Sequence, residues 1–191
     1  MSQSPRVSPV PSPGSPLPPL TRPAQAADLA EVAEVIIESF HSPHSWLAWF
    51  SPVLKLGIYQ DLRSRNSGGM LHYACLVATE QQSMQKEKKL LGTVEVGLRL
   101  VGDQLPRSPY LSNLAVRPIY RRQGVAQHLL LACEQTVRQW GFEDLYLHVL
   151  EDNQIARELY RKAGYRLKAA HSSWTSLFWV QPRQLLLHKR L

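Results

Sequence analysis

The 191-residue sequence has only two cysteines, Cys75 and Cys133, too few for a disulfide framework. Both sit in apolar patterns, Cys75 in a strand-like run and Cys133 on a helix face, as buried free thiols do. That excludes the small disulfide-stapled secreted class and favours a reducing compartment. No apolar run approaches membrane-spanning length, and the N-terminus lacks the apolar core of a secretory leader. Zinc-type cysteine and histidine spacings are missing, as are arginine-rich tracts with interleaved aromatics and RNA-binding strand signatures. Neither a metal nor a nucleic-acid partner is therefore expected. Acidic residues are in the minority, 15 against 22 Lys+Arg, for a formal net charge of +7. The surplus is spread along the chain, and its Arg117–Arg122 group would suit an anionic ligand.

Residues 1–19 contain seven prolines, five serines and no acidic residue. Such a segment cannot bury enough apolar surface to order itself, so a disordered tail is expected there and a single domain over 20–191. An acid-free, Ser-rich start also fits a remnant of an organelle transit peptide, although Arg6 is its only charge. The expected location is cytoplasmic, with the plastid stroma as the alternative.

Beyond the tail, the pattern predicts a short strand at Leu20–Pro23 and a helix begun at Asp28, with Leu29, Val32, Ala33, Ile36, Ile37 and Phe40 on one face. A second helical region spans 41–66, broken near Ser51-Pro52. Trp46, Trp49 and Phe50 beside the break would pack on the sheet or line a groove. Strands are predicted at Met70–Glu80 and Leu90–Val101, joined by the polar insertion 81–89. Leu145–Leu150 is another strand, followed by a helix capped by Asp152 or Asn153 and closed by Gly164. Strands at 165–170 and Gln184–Lys189 flank an aromatic loop with Trp174, Phe178 and Trp179. Seven strands and four helical regions make an α/β fold around a mixed sheet.

The chain is organised around Tyr110–Glu134. Tyr110, Leu111, Leu114 and Val116 read as a strand preceded by the turn formers Pro106, Ser108 and Pro109 and stopped by Pro118. A basic loop, Arg121-Arg122-Gln123, leads through Gly124 into a helix whose Ala126, Leu129, Leu130, Cys133, Val137 and Trp140 share a face. Free amides and the positive end of the helix dipole would then meet flanking guanidinium groups in one small space, which suits a phosphate. A side chain at position 124 would hold the backbone off the anion.

This stretch resembles the acetyl-coenzyme A signature of the Gcn5-related N-acetyltransferase (GNAT) superfamily, Arg/Gln-x-x-Gly-x-Gly/Ala, read here as Arg121, Gly124 and Ala126. Asp152-Asn153, Ala156, Leu159-Tyr160 and Gly164-Tyr165 look like the family's later block. The resemblance implies a mostly antiparallel seven-stranded sheet flanked by four helices and splayed between its central strands. Acetyl-CoA would be the cosubstrate, without a metal. Leu114, Ala115 and Val116 would hold its pantetheine arm, with the Leu114 N–H facing the thioester carbonyl from a bulge at 113–116. Arg121, Arg122, Gln123, Gly124, Val125 and Ala126 would hold its diphosphate, and Asn153, Ala156 and Tyr160 would complete the binding set.

Acetyl transfer to an amine needs a base, donors for an oxyanion and a proton for the leaving thiolate. By resemblance Tyr160 is the proton donor. Tyr110 and His148 occupy the places of a tyrosine and histidine used by a subgroup of eukaryotic protein N-terminal acetyltransferases, and histidine titrates near neutrality. Glu95, on the preceding strand, is the rival base. The site motifs contain no cysteine, which argues for direct attack in a ternary complex. The look is that of the cyanobacterial and plastid branch and of ribosomal-protein alanine acetyltransferases. That implies a protein or peptide acceptor, an α-amine or a lysine, and a monomer or weak homodimer. A small amine is the enzymatic alternative, but 42–50 and 171–182 offer no Asp or Glu to a cationic acceptor. A non-catalytic CoA- or nucleic-acid-binding module is the remaining reading.

Overall fold

The computed structural model describes residues 18–40, 51–67, 71–80, 89–101, 106–171 and 183–191. The expectations for the tail, for Trp46, Trp49 and Phe50, for most of the 81–89 insertion and for Trp174, Phe178 and Trp179 lie outside the described residues.

Strands β1 (Leu20–Pro23), β2 (Tyr73–Thr79), β3 (Leu90–Arg99), β4 (Ser108–Val116), β5 (Asp144–Leu150), β6 (Arg166–His171) and β7 (Gln184–Arg190) form one sheet in the order β1-β2-β3-β4-β5-β7-β6. Four helices accompany them: α1 (Leu29–Phe40), α2 (Ser51–Ser67), α3 (Val125–Gln139) and α4 (Gln154–Lys162). Every neighbouring pair is antiparallel except β4 and β5, which run parallel. Parallel neighbours need a long crossover, and α3 supplies it.

Helices cover both faces. On one, Leu129, Leu130, Cys133 and Val137 of α3 and Tyr160 of α4 pack on Leu76, Val94, Val96, Leu111, Leu145 and Leu147. On the other, Leu29, Val32, Ala33 and Ile36 of α1 and Leu62 of α2 pack on Cys75, Val77, Leu90 and Ala115. This two-sided cover is why Cys75 through Thr79 are all buried. Leu129 is fully buried, and truncating such a leucine to alanine costs about 2–5 kcal/mol.

Several boundaries differ from the sequence reading. β2 begins at Tyr73 rather than Met70, because His72 has φ +62°, a turn conformation that ends the extended run, and Leu71 is exposed. β3 stops at Arg99, leaving Leu100 exposed instead of in phase with Val94 and Val96. β4 absorbs Ser108 and Pro109, expected as turn residues. Pro109 has no N–H to give, and at that point β4 is paired only with β3, since the register with β5 begins at Tyr110. α2 runs from Ser51 to Ser67, with Pro52 in its first turn, where proline is favoured; the 41–50 part of the expected helical region lies outside the described residues.

The Arg117–Arg122 group is not a single cationic patch. Arg117 is buried, donates to the Leu90 carbonyl at 3.0 Å, and pairs with Glu38 at 2.6 Å and with Glu31 and Glu34. It ties α1 to the sheet, and its charge is spent there.

Candidate functional site

The feature that shapes the site is the parting of β4 and β5. Their register consists of one pair, Tyr110 opposite Tyr146. A bulge sits three residues further along β4. On its other side Thr93 faces Ala115 and Glu95 faces Ser112, so Asn113 and Leu114 together oppose Val94. Asn113 makes the bend with φ +51°, a conformation that asparagine tolerates better than most residues. Neither Asn113 nor Leu114 has a register partner on β3 or β5, which leaves backbone groups in this stretch facing the gap. The bulge was expected over 113–116, and the geometry locates it at 113–114. Ala115 returns to the ladder. The Val116 carbonyl accepts from Ser39 Oγ at 3.1 Å and from Arg121 Nε at 3.2 Å, so that oxygen is already engaged.

Gly92 stands where β3 crosses this stretch. A Cβ there would come within 2.7 Å of the Ala115 carbonyl, so only glycine lets the strands approach so closely.

The chain leaves β4 through a short 3₁₀ turn, Pro118–Tyr120, and reaches α3 by way of Arg122 (φ +65°) and Gly124 (φ +80°). Gly124 caps α3 without a side-chain hydrogen bond, so the first-turn amides, including those of Val125 and Ala126, have no intrahelical partner. Arg121, Arg122 and Gln123 are exposed around them. Arg121 lies against α1 through the Ser39 carbonyl (3.3 Å), and Gln123 donates to the Ile119 carbonyl at 3.1 Å. Uncapped amides at a positive helix end, with two exposed guanidinium groups beside them, fit a diphosphate. His128 donates from Nδ1 to the Gly124 carbonyl at 3.1 Å and braces the turn, a contact that helical spacing alone does not single out.

On the sheet face away from α3, Tyr110 and His148 meet. The His148 backbone N–H donates to Tyr110 Oη at 3.1 Å, and the same oxygen lies 2.9 Å from His148 Nδ1. This second contact works in both directions: the phenol donates to a neutral imidazole, and a protonated Nδ1–H donates back. Burial pushes the Tyr110 phenol above its ordinary value, while the His148 N–H and the Arg99 guanidinium pull against it. The two rings stand 5.7 Å apart, across the point where the strands part.

Glu95, the rival base, is 1% exposed and fully engaged. Its Oε2 accepts from Arg65 and Tyr73, each at 2.8 Å, and its Oε1 accepts from Asn113 Nδ2 at 2.5 Å. Arg65 and Tyr73 are partners that spacing did not reveal, since they come from α2 and from the far end of β2.

α4 brings Tyr160 into the core on the α3 side of the sheet. Its ring is buried, edge-on to Tyr165 at 5.7 Å, and burial holds its phenol well above the ordinary value. Asn153 caps α4, its Oδ1 accepting from the Ala156 N–H at 3.1 Å, which leaves the side-chain NH₂ available to a ligand. Ala156 is partly buried in the first turn of α4.

The sheet thus brings Leu114, Tyr110 and His148 to one gap, while the α3 turn and the buried Tyr160 lie on the α3 side of the sheet. Among the described residues no group of three or more His, Cys, Asp or Glu is arranged to hold a metal. No helix among them is long and apolar enough to cross a membrane. Cys133 is fully buried, and burial pushes the Cys75 thiol up to about 12, so neither is suited to act as a nucleophile.

The acetyltransferase (GNAT) family model matches residues 37–165. A chloroplastic GCN5-related N-acetyltransferase of Arabidopsis thaliana is 36% identical over 126 residues, covering 62% of this chain and 49% of the relative. The chain spans about half or less of the length of the curated relatives it matches. The PaiA N-acetyltransferase of Thermoplasma acidophilum, solved with coenzyme A, shares the fold with a TM-score of 0.65 at 19% identity, covering 92% of this chain and all of that one. A ribosomal-protein-alanine N-acetyltransferase from Brucella melitensis does so with a TM-score of 0.65 at 21% identity, covering 90% of this chain and 99% of its own.

Proposed function

The chain belongs to the acetyltransferase (GNAT) family, and from that premise we propose that it acetylates a protein amine, an α-amino group or a lysine, by direct attack in a ternary complex. The observation that carries this reading is the hydrogen-bonded Tyr110–His148 pair beside the point where β4 leaves β5.

Acetyl-CoA, when bound, supplies an acetyl thioester. Arg121, Arg122 and the amides of Gln123 to Ala126 are the groups suited to its diphosphate, and the Asn153 amide and Ala156 to its pantetheine arm. The chain's own residues do the rest. The His148 imidazole takes the ammonium proton of the acceptor, directly or through the Tyr110 phenol, and frees the amine lone pair to attack. The Leu114 N–H, unpaired in the ladder, is the donor for the developing oxyanion. Tyr160 keeps its proton near neutrality because it is buried, and gives it to the departing thiolate. Glu95 holds Asn113, and thereby the bulge, in place. A buried base at position 95 would first have to shed Arg65 and Tyr73.

A protein acceptor is supported by the likeness to ribosomal-protein-alanine acetyltransferases and by the tyrosine–histidine pair. The chloroplastic relative supports a plastid location over the cytoplasm. Incubation with labelled acetyl-CoA and a library of peptides differing at the N-terminus and in lysine content tests the proposal. The expected result is transfer to a subset of peptides, lost on His148→Ala. Cofactor binding without transfer to any amine would overturn it in favour of a sensor.

A further inference from the structure

The sheet face that carries Tyr110 and His148 also holds an arginine that no carboxylate among the described residues neutralises. Arg99, the last residue of β3, stands opposite Ser108 of β4, and strand alternation puts its side chain on the Glu95 face. Its guanidinium carbon lies 5.1 Å from the centroid of the Tyr110 ring, and its Nη2 donates to Ser112 Oγ at 3.3 Å. Three other arginines among the described residues serve this side of the sheet and are spent internally: Arg22 on Asp28, Arg65 on Asp61 and Glu95, and Arg117 on Glu31, Glu34 and Glu38. Arg99 is exposed and has no carboxylate partner among the described residues. The Tyr110 ring orients the cation by its π face, so one side chain carries a fixed positive charge on its ring and the contact to His148 on its hydroxyl.

We infer that Arg99 is a specificity-determining residue that takes an anionic group of the acceptor, namely an Asp or Glu side chain next to the acetylated α-amine of a polypeptide. This deepens the proposed function and rests on Tyr110 and His148 being its proton-handling pair. Successive Cα atoms are about 3.8 Å apart, so a carboxylate on the second residue lies roughly 6–8 Å from the α-amine. The Tyr110 hydroxyl and the Arg99 guanidinium meet on one ring, a separation of the same order. The planar guanidinium matches a carboxylate with two parallel N–H donors, and a bound peptide would remove part of the water that screens the pair. A lysine or arginine in that place would face like charge.

The test compares kcat/KM for peptides identical except for Asp, Asn or Lys at the second position. The wild-type chain should prefer Asp over Asn by roughly tenfold, and the preference should shrink as salt is raised. Arg99→Gln should bring that ratio to about one, chiefly through KM, and still acetylate the Asn peptide. Arg99→Lys should keep a reduced preference, and Arg99→Glu should favour Lys. Efficient acetylation of the Asn peptide with no Asp preference in the wild type would sink this inference alone. So would an Asp preference that survives Arg99→Gln. No transfer to any peptide, with acetyl-CoA bound, would sink the proposed function as well.

Discussion

Asn113 Nδ2 donates to Glu95 Oε1 at 2.5 Å, and Asn113 is the residue whose left-handed backbone makes the bulge in β4. One hydrogen bond therefore joins a buried carboxylate to the bend that opens the site. Glu95→Ala would leave Tyr73 and Asn113 without their acceptor and Arg65 with Asp61 alone, and should cost about 2–4 kcal/mol in denaturant unfolding. Glu95→Gln keeps the shape but loses one of the two ionic partners of Arg65. It should slow turnover through the bulge without changing the form of the pH–rate profile. A profile that loses its acidic limb in Glu95→Gln would make Glu95 the base.

His148→Gln should lower kcat by about 10²-fold or more, most strongly below the pH plateau, where the acceptor amine is protonated and needs a base. Tyr110→Phe removes the other half of the contact. The double variant should lose little more than the worse single variant, because the two act as a unit. Steady-state rates across pH for the three variants decide this, and additive losses would mean that the two side chains work separately.

Burial raises Tyr160 above its ordinary value of 10.0. A raised value keeps the phenol protonated to higher pH, so the wild-type rate should show no descending limb from this group below about pH 10. Tyr160→Phe should slow the chemical step with little change in acetyl-CoA affinity. A descending limb near pH 8 that vanishes in Tyr160→Phe would contradict the burial seen here.

Gly124→Glu should abolish acetyl-CoA binding measured by calorimetry while leaving a cooperative thermal transition. The φ of +80° disfavours any side chain by about 1–2 kcal/mol, and the carboxylate would stand at the helix end that attracts anions. Unchanged affinity would place the diphosphate elsewhere.

The elements carried by strong periodicity were legible in the sequence, among them the seven strands, the α3 face and the stop at Gly164. So was the strand, basic loop, glycine and helix order of the turn before α3, because each step rests on local chemistry. Boundaries were less so: the positive φ of His72 and the inclusion of Pro109 in β4 depend on what each strand is paired with. The sequence also presented Arg117 as one more cation near the phosphate turn, whereas three carboxylates of α1 claim it. Glu134 had no sequence signal for burial either, and its neutralising Lys189 lies 55 residues away at 2.6 Å.

By itself, then, the amino-acid order determined the fold class and the glycine turn before α3, since glycine, proline, helix-end amides and apolar spacing act over a few residues. Tertiary structure alone decided the side-chain pairings on which the proposed proton chemistry rests. Which carboxylate is sequestered and which histidine meets a phenol depend on side chains brought together from positions 18, 30 and 38 residues apart. No local rule orders those contacts; the register of β3, β4 and β5 and the packing of α2 on the sheet do.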